Sequence, residues 1–79
     1  MITKIEWNRH RDNMYGSLKA LLQRKKNDYV SYKYTCEIMA LTFGYIVDDF
    51  MRILETKDIF VLAEELTIEE YGQCRDNKQ

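Results

Sequence analysis

Between Ser31 and Glu55 the chain reads SYKYTCEIMALTFGYIVDDFMRILE, with more apolar residues than a single neighbour can cover. Set on a helix at about 100° per residue, Ile38, Thr42, Ile53, Ile46, Met39, Phe50, Phe43, Leu54, Val47, Ala40 and Met51 fill one continuous arc. That arc exceeds half the circumference, and Glu37, Asp48, Arg52 and Glu55 lie opposite it. A surface helix needs an apolar stripe only a little over about 100° wide. The stretch therefore predicts a central helix reaching about Thr56 and buried against at least two neighbours. The implied fold class is all-α: a small helical bundle built on a long antiparallel helix pair plus one or two short C-terminal helices.

Local signals place the other helices. Thr3-Lys4-Ile5-Glu6 has the form of a capping box, which starts helix one; it extends to about Lys26. Trp7, Met14, Tyr15, Leu18, Leu21 and Leu22 make its docking stripe. Gly16-Ser17 is the weak point, and a continuous helix is favoured over a break capped by Ser17. Asn27-Asp28 reads as a turn. The alternation from Tyr29 to Tyr34 suits a short strand or a helix start, but a lone strand has nothing to pair with, so helix is expected with Asp28 or Ser31 as N-cap. Asp48 and Arg52 have the spacing of an i,i+4 pair, and Gly44 falls on the polar side, where another helix could approach closely.

Asp58 should cap a short helix from Ile59 to Glu65, although DIFVLA also fits a strand. Thr67-Ile68-Glu69-Glu70 looks like a second capping box, opening a last helix through about Cys74, anchored by Ile68 and Tyr71. Arg75 to Gln79 should fray. With no repeat or linker, residues 1–79 read as a single helical domain.

Seventy-nine residues bury only about 60% of the surface the unfolded chain exposes, so self-association would help stability. A chain that is 46% hydrophobic and 32% charged is globular, and three Gly with no Pro favour long helices over many turns. The longest apolar run is half of a bilayer span, and MITKIEWNRHR lacks an apolar signal-peptide core. The expected location is cytoplasmic, away from membranes. Cys36 and Cys74 stand far apart with one His in the chain, which argues against structural zinc and, in a reducing compartment, against a disulfide. Cys36 reads as a small core residue and Cys74 as an exposed thiol.

Charge is unevenly placed. Residues 1–26 hold seven basic side chains against two acidic, while residues 35–79 hold ten acidic against four basic. Mutual neutralisation of the two halves is the simplest expectation, and steering of a charged partner the other. One internal pair is specific: Arg11 lies within the stripe of helix one and Asp49 within the arc of helix two, opposite each other in an antiparallel hairpin. They are predicted to pair at that interface, fixing register more than adding stability.

No catalytic set is evident. His10 is the lone imidazole, Asp48-Asp49 and Glu69-Glu70 splay apart on helices, and there is no Gly-rich phosphate loop or metal-ligand spacing. An enzyme is not expected, nor any cofactor. What remains is a small protein-interaction module. If the short helices fail to cover the arc, Met39, Phe43, Phe50, Met51 and Leu54 would be shared across a two-fold axis in a homodimer. Asp48, Glu55, Glu64, Glu65, Glu69 and Glu70 offer an acidic surface for a basic protein groove, inhibiting by charge mimicry. The alternative is a nucleic-acid-binding face on helix one, made of Arg9, Lys19, Arg24 and Lys26 with Tyr29, Tyr32 and Tyr34 as stacking groups. The ten carboxylates downstream disfavour it. In size, in Lys, Asn and Tyr usage and in lacking a catalytic set, the chain resembles small accessory proteins of phages and other mobile elements, including inhibitors of host defence. No stretch carries that resemblance, and no residue role follows from it.

Overall fold

The computed structural model describes residues 2–73, and four helices with no strand make up its regular structure. The first, α1 (Lys4–Asn27), opens on Thr3, whose hydroxyl accepts the Glu6 amide at 3.1 Å while the Glu6 carboxylate accepts the Thr3 amide at 3.1 Å. The expected capping box is formed, satisfying two amides in the region where a helix start leaves donors free. Glu6 in the first turn and Arg24, Lys25 and Lys26 in the last suit the helix dipole at each end. The helix continues through Gly16, which is exposed. One glycine costs about 1 kcal/mol, which the docked stripe of a long helix outweighs.

One residue joins α1 to α2 (Tyr29–Phe43). Asp28 closes α1 by donating its amide to the Arg24 carbonyl at 2.7 Å, and opens α2 by accepting the Ser31 amide at 3.1 Å. Tyr29 to Tyr34 is accordingly helical. The chain doubles back at this joint: Lys25 lies over the Tyr32 ring and Arg24 reaches Thr35, so α1 and α2 form the antiparallel pair.

The central helix, however, does not run on to Thr56. It stops at Gly44, which takes the left-handed conformation at φ 80°, and α3 (Val47–Thr56) starts three residues later. The Tyr45 amide donates to the Ala40 carbonyl at 2.8 Å, the long bond of a Schellman-type helix stop. Gly44 thus serves as a stop and not as a point of close approach; its absent Cβ would meet nothing within 4 Å. α3 begins on Ile46, which caps with no side chain, and Asp48 and Asp49 in its first turn supply the favourable charge instead. Arg52 pairs with Asp49 at 2.9 Å, not with Asp48; both spacings are neighbours on a helix.

The C-terminal part shows the reverse, one helix where two were expected. Asp58 accepts the Val61 amide at 3.1 Å and opens α4 (Ile59–Tyr71), as predicted. Thr67 does not cap a second helix. Its hydroxyl bonds back to the Ala63 carbonyl at 2.7 Å, which satisfies it inside the helix and lets it sit buried in the core. The helix ends at Gly72, whose carbonyl accepts the Trp7 indole N–H at 2.8 Å. That bond ties the last described turn to the first turn of α1. The proposed extension to Cys74 and the frayed tail lie outside the described residues.

All four helices feed one core: Leu18 and Leu21 from α1, Tyr32, Cys36 and Ala40 from α2, Phe50 and Leu54 from α3, Leu62, Ala63 and Leu66 from α4. α1 packs most extensively on α4 and next on α2, and α3 folds back on α2. This arrangement separates Arg11 from Asp49. With the central helix broken, α3 leaves the register that set them opposite each other. Arg11 instead bonds to Asp12 at 3.0 Å and lies 4.8 Å over the Phe60 ring and 5.9 Å from Trp7, helping α4 dock on α1. Neutralisation between the two halves is also slight: Lys25 to Glu55 is the one ion pair that links them among the described residues, the rest being local.

Two substitutions test the helix stop with opposite signs. Gly16→Ala should raise unfolding stability by about 1 kcal/mol, whereas Gly44→Ala should lower it by about 1–2 kcal/mol because an L-residue is strained at that φ. Urea denaturation measures both, and equal effects would contradict a stop at Gly44.

A second prediction concerns the core. The buried Tyr32 hydroxyl has no well-formed hydrogen bond among the described residues, with the Cys36 thiol beside it, one turn on. Burial pushes the Tyr32 phenol above its ordinary 10.0 and the Cys36 thiol above its ordinary 9.0. Both are neutral when protonated, so the fold retains protons that the unfolded chain releases. Stability is full below about pH 9 and falls as pH rises beyond it, first through Cys36 and then Tyr32. Tyr32→Phe should add about 1 kcal/mol at neutral pH by removing the unsatisfied hydroxyl and should flatten the loss above pH 10. Urea midpoints from pH 7 to 11 measure both.

Candidate interaction surfaces

α2 has two apolar faces, parted on one side by Lys33 and Glu37 and on the other by Ser31, Thr35 and Thr42, yet only one of them is covered. Tyr32, Cys36 and Ala40 on the inner side are fully buried. On the outer side Val30, Tyr34, Ile38 and Leu41 are 79%, 64%, 48% and 80% exposed. Their spacing of four, four and three residues sets them on one stripe. α2 carries two charged residues, Lys33 and Glu37, both exposed and both on one flank of this stripe. Along the same face a shallow depression of about 280 Å³ is bounded by Tyr29, Val30, Lys33, Tyr34 and Glu37. Ile46, where the chain enters α3, is bare as well.

This stripe differs from the predicted dimer interface. Phe50 and Leu54 are fully buried in the chain's own core, and Met39, Phe43 and Met51 are half-buried against it. The difference follows from Gly44. A wheel drawn through the break assigns the residues of α3 to the face of α2, while in the fold α3 turns back and buries its own stripe. Val30, Tyr34 and Leu41 were missed for the same reason. Their signal, four apolar side chains at heptad-like spacing opposite the core face, shows only when α2 is read as ending at Gly44.

The six carboxylates are divided between α3 and α4, and part of the set is engaged. Glu55 pairs with Lys25 and Glu65 with Lys57, Glu64 is half-buried, and Asp48, Glu69 and Glu70 are exposed. The basic residues Arg9, Lys19, Arg24 and Lys26 are all exposed on α1. Helical spacing spreads them over nearly half its circumference. Lys19 leans 5.2 Å over Tyr15, and Arg24 reaches the Thr35 hydroxyl at 3.5 Å. Tyr32 is no stacking platform, since it is buried, and Tyr29 rests against it with ring centres 5.6 Å apart.

Chemistry finds little footing. His10 stacks on Tyr71 at 4.0 Å, and Cys36, as expected, is a core residue whose thiol burial keeps protonated. Cys74 lies outside the described residues. Two grooves flank α1: one of about 380 Å³ against α2, with Met14, Ala20 and Met39 among its walls, and one of about 510 Å³ against α3, spanned by the Lys25–Glu55 pair. Among the described residues no three His, Cys, Asp or Glu side chains converge as metal ligands, and no helix is long and apolar enough to cross a membrane. Comparison with protein-family models, with curated proteins and with solved structures returns no match for this chain.

Proposed function

We propose that this chain is a non-catalytic protein-interaction module whose working surface is the outer face of α2. One observation carries the proposal: Val30, Tyr34, Ile38 and Leu41 form a bare apolar stripe on a helix whose opposite side is fully buried. Exposed single apolar residues are ordinary, but a contiguous row on one helix face marks a binding surface. A helix laid along such a stripe is the usual mode of recognition for a surface of this shape. The acidic residues support this module less, because Glu55 and Glu65 are already paired. The dispersed basic residues of α1 make a nucleic-acid interface the weaker alternative.

Cross-linking in cells that express the tagged chain tests the proposal. A protein adduct, whether to a second copy or to another protein, should form with the wild type and be lost in Leu41→Lys, while Lys19→Glu/Lys26→Glu leaves it intact. Because Leu41 is 80% exposed, Leu41→Lys should leave stability within about 0.5 kcal/mol of wild type. Adducts indifferent to Leu41→Lys would overturn the proposal. Recovery of nucleic acid that depends on Lys19 and Lys26 and falls steeply with salt would establish the alternative.

A further inference from the structure

From the pattern on α2 we infer that the occupant of this face is a second copy of the same chain, docked with its α2 antiparallel about a two-fold axis that crosses the outer face at the level of Thr35 and Cys36 along the helix. The inference rests on the outer face of α2 being a binding surface, and it goes further by naming what binds. Its basis is that the face is self-complementary about one point. The midpoint of Val30 and Leu41 falls between Thr35 and Cys36; that of Tyr34 and Ile38 falls on Cys36; that of Lys33 and Glu37 falls on Thr35. A two-fold axis there sets Val30 against the partner's Leu41 and Tyr34 against the partner's Ile38.

Charge fits the same arrangement. In an antiparallel two-fold helix pair, residues on one flank of the seam meet residues on the same flank of the other helix. Lys33 and Glu37 share a flank, so Lys33 meets the partner's Glu37 and Glu37 meets the partner's Lys33. Within one chain the two are four residues apart with Lys first, the less favourable order for an intrahelical pair. Among the described residues neither of them forms an ion pair. A parallel arrangement would set this flank against the partner's opposite flank of Ser31, Thr35 and Thr42, leaving Lys33 and Glu37 without each other.

Shape completes the match. Val30, Lys33, Tyr34 and Glu37 stand at i, i+3, i+4 and i+7, the four corners of a hole in knobs-into-holes packing, and they bound the depression on this face. With the axis between Thr35 and Cys36, the partner's Glu37 comes level with that hole on the same flank, beside Lys33, while the partner's Ile38 lies on the other edge of the seam against Tyr34. An unrelated partner gives no reason for apolar, charged and shape features to share one centre. The two-fold contact is isologous, so it closes at two copies.

Sedimentation equilibrium of the purified 79-residue chain tests the inference with charge reversals. The wild type should dimerise and remain dimeric at high salt, because the seam is apolar and its ion pairs are peripheral. Lys33→Glu and Glu37→Lys should each weaken dimerisation by about ten-fold or more, since each places like charges together at two symmetric points. Mixing the two variants should restore association as a heterodimer, and the double variant Lys33→Glu/Glu37→Lys should behave as wild type. A wild type that stays monomeric at every concentration, or dimers indifferent to these reversals, would overturn the inference. If that result came with Leu41-dependent cross-links to another protein in cells, the binding face would stand and only its occupant would change. If no Leu41-dependent adduct formed either, both would fall.

Discussion

Gly44 holds a left-handed backbone conformation that a side chain would strain, and the rest of the fold depends on that one turn. Upstream, it ends α2 with a satisfied carbonyl at Ala40; downstream, it frees Tyr45 and Ile46 to reverse the chain. Without the stop, the run from Tyr29 to Thr56 would be one helix with apolar residues on most of its surface. With it, α3 folds back and places Phe50 and Leu54 in the core beside Tyr32, Cys36 and Ala40. The small side chains at Cys36, Ala40 and Ala63 admit the neighbouring helices closely, and the Trp7 indole closes the bundle by holding Gly72.

The same turn decides which surface is left over. A helix needs only one covered side to be held, and α2 obtains it from α1, α3 and, to a lesser extent, α4. Among the described residues nothing from the other helices reaches the other side, so Val30, Tyr34, Ile38 and Leu41 stay in contact with water. Burying them against the core as well would require another helix. A bare apolar row on an otherwise well-packed helix is therefore a consequence of the fold's topology.

Much of this was legible in the residues. Thr3 with Glu6, Asp28 and Asp58 are caps whose side-chain oxygens act within three residues, so their meaning is local and the sequence states it. The stripe of α1 and the burial of Cys36 follow from periodicity in the same way. What failed depended on events that periodicity cannot register. Gly44 on a wheel is merely a residue at some angle, and α3 begins on Ile46 with no polar cap to announce it. Thr67 has the letters of a capping box, yet its hydroxyl found a carbonyl in the preceding turn and the helix ran on. The Arg11–Asp49 pairing and the dimer residues Phe50 and Leu54 then failed together, because both were read from one unbroken helix. The bare face of α2 was hidden by that same error, not by any lack of signal within α2.

The central claim is that α2 presents an apolar face left bare within one chain and covered by association. Methyl NMR in the presence of a soluble paramagnetic agent reads that directly. In dilute protein the methyls of Val30, Ile38 and Leu41 should relax strongly while those of Leu21, Leu54 and Leu62 stay shielded. As concentration rises the first group should become shielded too, and the second should not change. Val30, Ile38 and Leu41 methyls shielded at a concentration where the chain sediments as a monomer would mean that the chain covers this face itself. Methyls that stay relaxed at every concentration would mean that no second copy covers it.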